Sequence, residues 1–128
     1  MGIDRARIEE AHRNIQRATE QADWSAWADL FSEDTTFVNS MLEEPLRGRE
    51  ALRSFAAHWP STLINAPEWT TIDGNQLAVG WNERQHPDAA AYRGISTFVF
   101  DDDGLVESYE GMFNTAKVVA AIEAGPPG

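Results

Sequence analysis

Residues 92–113, YRGISTFVFDDDGLVESYEGMF, contain two runs of β-branched and aromatic residues on either side of the turn sequence DDDG. Runs of this kind around an Asp-Gly turn predict an antiparallel β-hairpin. Residues 61–72 and 77–86 flank a second turn, Asp-Gly-Asn at 73–75, and predict another hairpin. The second half of the chain is therefore predicted to form a mostly antiparallel sheet.

The first thirty residues have the periodicity of helices. Small and apolar residues recur at spacings of three and four along one face of the first segment: Ile8, Ala11, Ile15, Ala18 and Ala22. Asp23 is predicted to cap a short second helix over 24–31. The residues of that helix that share a face are Trp24, Trp27, Ala28 and Phe31.

The middle of the chain combines a strand and a helix. Residues 35–42, TTFVNSML, predict the first strand, and a turn at 45–48 leads into a third helix over 49–59 that Pro60 ends. The inward residues predicted for that helix are Ala51, Leu52, Phe55 and Trp59. Residues 115–124 predict a closing helix.

This order of elements predicts an α+β fold, in which a curved sheet wraps around the N-terminal helices as a cone and encloses one pocket. A single domain is predicted over residues 1–124, with a flexible C-terminal tail at 125–128 that reads GPPG.

The composition of the chain limits which classes of partner the protein can have. The chain has 128 residues, no cysteine and a net charge of −11, with 21 acidic and 10 basic residues. An acidic surface repels phosphate backbones, so no nucleic acid partner is expected. No segment has the apolar length of a membrane span or signal peptide, which predicts a cytoplasmic protein without a membrane partner. The abundance of aromatic residues predicts either a full core or an aromatic-lined cavity.

Two stretches carry a resemblance to a known family. Residues 23–55 resemble the opening of SnoaL-like proteins, with a helix after Asp-Trp, a Phe-x-x-Asp step into a strand, and a Gly-Arg-Glu-Ala helix start. Residues 92–114 resemble their closing hairpin. The chain is thus identified as a member of the nuclear transport factor two-like superfamily. Its members include polyketide cyclases, ketosteroid isomerases, scytalone dehydratase and limonene-type epoxide hydrolases, and the fold alone does not select among them.

The motifs of these relatives are altered in this chain. The epoxide hydrolases that the chain resembles carry the same residue types at Asn39 and Arg84. At three other positions of the resembled motif the chain differs: Phe37 stands in place of a Tyr, and His86 and Gly111 stand in place of two Asp residues. The ketosteroid isomerases resemble the chain but place a base where it has Asn39, and the resemblance to scytalone dehydratase puts Asn82 at the position of a His. The resemblance therefore implies the pocket of the family with different contents.

Alternation along residues 77–86 separates Leu77, Val79, Trp81, Glu83 and Gln85 from Ala78, Gly80, Asn82, Arg84 and His86. The resemblance places the second set inside the cone. His86 is then predicted to be a general acid or base and Arg84 to stabilise negative charge, while Asn39 and Tyr109 orient substrate or water. The residues predicted to bind the substrate are Phe37, Asn82, Trp27, Trp59 and Phe113.

Simpler interpretations remain open for each residue. His86 precedes a proline and also fits a rim position, and Arg84 also fits a pairing with Glu83, Glu107 or Glu110. A packed core is the other interpretation for five aromatic residues: Trp24, Trp27, Phe31, Phe55 and Trp59. His12 and His58 are expected to be exposed. No metal site and no cofactor are expected, because the three histidines lie on separate elements without ligand spacing.

Two functions follow from the sequence. The first is an enzyme that performs acid/base chemistry, such as hydrolysis, isomerisation, dehydration or cyclisation, on a small lipophilic terpenoid, steroid or polyketide. The alternative is a non-catalytic protein that binds a lipophilic ligand, or a dimeric interaction protein. The resemblance also implies a homodimer formed through the sheet.

Overall fold

The computed structural model describes residues 3–59 and 64–124, in which four helices and six strands follow one another. The helices are α1 (Arg5–Glu20), α2 (Trp24–Ala28), α3 (Arg49–Ala56) and α4 (Thr115–Ala124). The strands are β1 (Phe31–Asn39), β2 (Leu46–Arg47), β3 (Ile64–Asp73), β4 (Gln76–Arg84), β5 (Tyr92–Phe100) and β6 (Val106–Phe113).

The strands form a single curved sheet in the order β2-β1-β6-β5-β4-β3. Neighbouring strands are antiparallel, except that β1 and β6 run parallel. Helix α1 packs on α2 and β3, and α3 packs on α2 and β1, so the N-terminal helices cover one face of the sheet. The predicted α+β class and the curved, mostly antiparallel sheet are confirmed.

Both predicted hairpins are present. Asp73 pairs with Gln76 across the first turn, where Gly74 has a φ of 61°. Gly104 has a φ of 84° in the second turn. A positive φ costs little at glycine because this residue has no Cβ, so the Asp-Gly signals gave reliable turn positions.

The second helix is shorter than the predicted span of 24–31. Asp23 caps it as predicted, since its Oδ1 accepts a hydrogen bond from the backbone nitrogen of Ala26 at 3.0 Å. The helix ends at Ala28, and Phe31 begins β1 by pairing with Val106. Phe31 is fully buried as the first residue of a strand, so burial was predicted correctly and the element was not.

The core lies between the helices and the inner face of the sheet. Its fully buried large residues come from α1, α3 and five positions of the sheet: Ile8, Leu52, Phe31, Phe37, Leu77, Phe100 and Val106. Burial of each such side chain stabilises the fold by about 1.5–3 kcal/mol. Ala51 was predicted to face inward but is exposed, because α3 presents Leu52 and Ala56 to the core.

Some predicted features lie outside the described residues. These are the stop at Pro60, the first residues of the strand predicted at 61–72, and the tail at 125–128. The strand β2 was not predicted; it pairs with β1 through Leu46 and Arg47 within the predicted turn. No helix in residues 3–59 and 64–124 is long and apolar enough to cross a bilayer.

Candidate functional site

A cavity of about 420 Å³ lies between the inner face of the sheet and the helices. Aromatic side chains make up much of its wall: Trp24, Trp27, Phe37, Phe55, Trp59, Trp81, Tyr92, Phe98, Tyr109 and Phe113. Trp59 contacts Trp24 and Trp27 at ring-centroid distances of 5.1 and 5.0 Å, so these indoles form one continuous apolar surface. Edge-to-face and tilted contacts between these rings stabilise the wall of the cavity.

Most of the residues predicted from the sequence line this cavity. They are Phe37, Asn39, Trp27, Trp59, Tyr109 and Phe113. Asn39 uses its side-chain oxygen to accept a hydrogen bond from the backbone nitrogen of Met41 at 2.8 Å. Its amide group therefore has two N–H donors left for the cavity, and the structure gives it no base function.

The predicted orientation of β4 is wrong. The residues of β4 and its extension that line the cavity are Val79, Trp81, Glu83 and Gln85. Leu77, Val79 and Trp81 are at most 7% exposed, so burial of these large side chains decides which face turns inward. Because the side-chain period of a strand is two, every alternate residue then points the other way.

Asn82, Arg84 and His86 therefore lie outside the cavity lining. Arg84 donates a hydrogen bond from Nη1 to the backbone oxygen of Pro87 at 3.0 Å, and the backbone oxygen of His86 accepts from Ala89 in the following turn. The contact of Arg84 places its guanidinium group beside the loop after β4, and His86 is itself a residue of that loop. The structure does not bring either of them together with Asn39 and Tyr109.

Glu83 takes the place that the sequence analysis gave to His86. Its carboxyl group faces the cavity and accepts hydrogen bonds from Tyr92 Oη at 2.6 Å and from Asn65 Nδ2 at 3.1 Å. Burial raises the pKa of Glu83, and the two hydrogen bonds oppose that shift. A mostly buried carboxyl group with a raised pKa is suited to proton transfer near neutral pH.

Helix α1 contributes polar groups to the same end of the cavity. Gln16 donates from Nε2 to the side-chain oxygen of Asn65 at 3.3 Å, which leaves the Asn65 amide nitrogen directed at Glu83. His12 precedes Gln16 by one helical turn and also lines the cavity. The prediction that His12 is exposed is wrong, since its ring is half-buried, and burial lowers its pKa.

A second polar group lies on the sheet, beside the aromatic wall. Trp81 Nε1 donates to Ser96 Oγ at 2.8 Å, and Ser96 Oγ lies 2.8 Å from Tyr109 Oη. The three side chains carry one N–H and two O–H hydrogens, and their two mutual hydrogen bonds use two of these. One O–H hydrogen of the pair Ser96 and Tyr109 therefore remains for an acceptor in the cavity.

Two glycines make room for this arrangement. A Cβ at Gly94 would lie 2.4 Å from the indole of Trp81, and one at Gly111 would lie 2.7 Å from Tyr109 Oη. Gly111 is the position at which the resemblance places an Asp in the epoxide hydrolases. In this chain the phenol of Tyr109 lies over that position, so the loss of the carboxylate and the placement of the phenol are linked.

Tyr109 is held as a neutral donor. Burial and the nearby charge of Glu83 raise its pKa to about 12, although the hydrogen bond with Ser96 acts in the opposite direction. The ring stacks on Phe37 with centroids 4.5 Å apart and an interplanar angle of 6°. The phenol is thus fixed in position and retains its proton at neutral pH.

Sequence reasoning missed Glu83, Tyr92, Asn65, Gln16 and Ser96. The signal for Glu83 was present, because it continues the alternation of Leu77, Val79 and Trp81 on β4. The hydrogen-bond partners of Glu83 come from separate elements and leave no local motif. Among residues 3–59 and 64–124, no three acidic or histidine side chains are grouped so that they could hold a metal ion.

Comparison with known proteins establishes the family. Residues 12–109 match the model of the SnoaL-like domain, and the chain belongs to this family. No curated protein matches it.

Solved structures share the fold at low identity. An NTF2-like protein of unknown function from Burkholderia pseudomallei K96243 has 17% identity and a TM-score of 0.80, over 91% of this chain and 97% of that one. A candidate ketosteroid isomerase from Kribbella flavida DSM 17836 has 20% identity and a TM-score of 0.72, over 85% and 78%. The epoxide hydrolase/cyclase-like enzyme SalBIII, of pyran ring formation in the polyether salinomycin, has 17% identity and a TM-score of 0.75, over 89% of this chain and 95% of that one. Such identities establish the fold alone.

Proposed function

We propose that this protein is a cofactor-independent enzyme that moves a proton within a small, mainly apolar carbonyl compound. The observation that carries the proposal is the carboxyl group of Glu83, which faces an aromatic cavity and is fixed by Tyr92 and Asn65. A carboxyl group in such a setting serves as a general base, because its raised pKa improves its match to a weakly acidic carbon. The family includes isomerases and cyclases, which agrees with this chemistry.

In the proposed step the Glu83 carboxylate removes a proton from a carbon next to the carbonyl group. The electron pair of the C–H bond forms a C=C bond to the carbonyl carbon, and the π pair of the C=O bond moves to the oxygen, which gives an enolate. That oxygen accepts the free O–H of the pair formed by Ser96 and Tyr109. In an unsaturated ketone whose C=C bond adjoins that carbon, the enolate extends over the C=C bond, and return of the proton from Glu83 to the far carbon of that bond gives the conjugated isomer without a co-reactant.

The proposal is tested with the variant Glu83→Gln on a panel of unsaturated ketones, hydroxy-ketones and epoxides. An amide keeps the size of the side chain but cannot take up a proton, so kcat for a substrate of the wild type should fall by about 10²–10⁴-fold. His86→Ala should leave turnover unchanged, because His86 lies outside the cavity lining. Equal turnover by Glu83→Gln and the wild type would exclude Glu83 as the base.

A second candidate function is ligand binding without catalysis. Asn39 stands where related isomerases carry a base, and its side-chain oxygen is already bonded to Met41. A cavity that has lost this base still keeps its aromatic wall. Saturable binding of the same panel with no turnover by the wild type would support this candidate against the first.

A homodimer is proposed through the outer face of the sheet. Trp69, Ile95 and Met112 are 48%, 41% and 52% exposed, and register pairing through Gly80 brings them into one row across β3 to β6. Arg93 and Glu68 form an ion pair at 3.1 Å beside this row. In a two-fold dimer the same surface of each copy forms the interface, so the apolar row of one copy would pack on the apolar row of the other, and Arg93 and Glu68 of each copy could pair with their counterparts. Met112→Glu should convert a dimer to a monomer in sedimentation, and a wild-type monomer would refute the proposal.

A further inference from the structure

The described residues of the cavity lining include a carboxyl group but no permanently positive side chain. Its titratable residues are His12, Glu83, Tyr92 and Tyr109, and no lysine or arginine of the described ranges lines it. Burial lowers the pKa of His12 and raises the pKa of both tyrosines, so all three are uncharged near neutral pH. The charge that this lining can carry is therefore negative, and it belongs to Glu83. An anionic ligand would enter without a counter-charge, which is costly in an apolar cavity.

The carboxyl group of Glu83 also has unused acceptor capacity. Each of its oxygens accepts one hydrogen bond, Oε1 from Asn65 and Oε2 from Tyr92. An ionised carboxylate offers about four lone-pair sites, so about two remain for a ligand. Both donors are neutral, so they satisfy part of the hydrogen bonding of the carboxylate and leave its charge uncompensated.

The surroundings of Glu83 favour a cation beside it. Trp81 lies two residues away on the same face of β4, and Tyr92 lies on the paired strand; their rings meet edge to face at 6.3 Å. The faces of aromatic rings attract cations, most strongly when water is excluded. The indoles of Trp24, Trp27 and Trp59 extend this wall as an apolar surface for the rest of a ligand.

The protein as a whole reinforces the same preference. Its net charge of −11 produces a negative potential that raises the local concentration of cations and lowers that of anions. This effect is weakened by salt, whereas the contact with a mostly buried carboxylate is screened less. Surface attraction and binding to Glu83 can thus be separated by their dependence on ionic strength.

From these observations we propose that the cavity binds lipophilic amines in their protonated form, with the ammonium group paired to Glu83 and the apolar body among the tryptophans. The inference uses the same carboxyl group as the proposed function but requires no turnover. A neutral carbonyl compound and a protonated amine would then compete for one cavity. Amines of matching shape would act as competitive inhibitors of the proposed reaction.

Binding of an amine should depend on pH in a defined direction. The complex requires Glu83 to be ionised, so amine affinity falls as the pH drops through the pKa of Glu83 in the free protein. Below that pH the carboxyl proton must be displaced before the ion pair can form. A neutral alcohol of the same shape has no such requirement, and its affinity should change much less over this range.

The experiment compares three ligands with one skeleton: adamantylmethylamine, adamantylmethanol and adamantane carboxylate. Binding is followed by tryptophan fluorescence at pH 7.5, at low and at high salt. The amine is expected to bind at least about tenfold tighter than the alcohol at both salt concentrations, because the pairing is charge-assisted, and the carboxylate is expected not to bind. Equal affinity of amine and alcohol for the wild type would overturn the inference.

Two variants locate the effect. Glu83→Gln should bind the amine no more tightly than the alcohol, while its alcohol affinity stays within about threefold of the wild type. Glu107→Gln removes an exposed acidic residue of β6 and should keep the full amine preference. An amine preference that survives in Glu83→Gln would refute the pairing. The pH dependence of the wild type gives the same test without any variant.

These results also separate the inference from the proposed function. Loss of turnover in Glu83→Gln together with equal binding of amine and alcohol by the wild type would leave the proposed function intact and reject the inference. An amine preference that depends on Glu83, in a protein without turnover on any ketone or epoxide, would do the reverse.

Discussion

The two faces of β4 give adjacent residues opposite surroundings. On the inner face the carboxyl group of Glu83 is mostly buried, receives hydrogen bonds from two elements of the sheet and has a raised pKa. On the outer face the guanidinium group of Arg84 bonds to the backbone of the next loop at Pro87. Glu83 and Arg84 are adjacent in the sequence, yet the first faces an aromatic cavity and the second donates a hydrogen bond to the loop after β4.

The comparison shows that chemistry in this fold depends on which strand face turns inward. If the register of β4 shifted by one residue, Arg84 and His86 would face the cavity and Glu83 would face outward, and the charge of the site would be reversed. Within one chain, the inner-face indole of Trp81 is buried, whereas the outer-face indole of Trp69 is 48% exposed. The following substitutions test this difference.

The largest effect is expected at glycines. In Gly94→Ala the new Cβ would lie 2.4 Å from the indole of Trp81 and 2.7 Å from the backbone oxygen of Met112, and neither neighbour can move freely. The free energy of unfolding should fall by about 3 kcal/mol. In Gly80→Ala the Cβ would lie 2.1 Å from the indole of Trp69, which is 48% exposed within one chain and can swing outward when no second copy covers it. Both glycine variants are therefore compared in the Met112→Glu background, in which the proposed dimer is disrupted.

The cost of Gly80→Ala should therefore be under about 1 kcal/mol. Urea denaturation of both variants measures the difference. Equal losses at the two positions would contradict the claim that the inner face is the constrained one.

A smaller effect is expected at neighbouring hydroxyl groups of β5. Ser96→Ala removes the partner of Trp81 Nε1 and Tyr109 Oη and leaves buried polar atoms unpaired, which should cost about 2 kcal/mol. Thr97→Ala removes an exposed hydroxyl group that lies 3.5 Å from the backbone oxygen of Glu110, and should change stability by no more than about 0.5 kcal/mol. Thermal unfolding of the two variants measures these losses of stability. Equal losses in Ser96→Ala and Thr97→Ala would refute a stabilising role for the hydrogen bonds among Trp81, Ser96 and Tyr109.

The pH dependence of stability provides the next prediction. Burial raises the pKa of Glu83 above 4.5 in the folded protein, so the folded state keeps a proton that the unfolded chain has already lost. Stability is therefore greatest below the unfolded pKa and falls as the pH rises through the folded pKa. Relative to Glu83→Gln, the wild type should lose up to about 1.4 kcal/mol per pH unit within that window.

The smallest effect is expected from Gln16→Leu. This change removes the donor that fixes the orientation of the Asn65 amide, and should cost under about 1 kcal/mol. Without a fixed Asn65 the hydrogen bond to Glu83 weakens, so the pKa of Glu83 should rise further. The pH at which stability falls should move upward in Gln16→Leu and stay in place in Glu20→Gln, an exposed change on the same helix.

Much of the fold could be predicted from the sequence because its signals are local. The stripe on α1, the cap at Asp23 and the two Asp-Gly turns each depend on neighbouring residues. The end of α2 was misplaced because pairing with β6 draws Phe31 into a strand, and that partner lies 75 positions away, at Val106. A register shift in β6 after Val106 also interrupts the regular alternation along that strand, which a pattern of period two does not predict.

The candidate site was predicted in part for the same reason. Phe37 and Asn39 on β1 and Tyr109 on β6 were predicted as site residues and do line the cavity. On β4 the resemblance favoured the face of Arg84 and His86, whereas the large apolar residues at 77, 79 and 81 indicated the other face. Burial of Leu77, Val79 and Trp81 outweighs any motif, since each contributes about 1.5–3 kcal/mol to the fold.

The most direct test of the account is the titration of the Glu83 carboxyl carbon by NMR in protein labelled with ¹³C at glutamate side chains. Glu83→Gln identifies the resonance by its absence. The account predicts a midpoint clearly above the ordinary value of 4.5, together with a downward shift when adamantylmethylamine is bound. A midpoint at or below 4.5 would show that Glu83 is not held in an apolar cavity and would contradict this interpretation of the site.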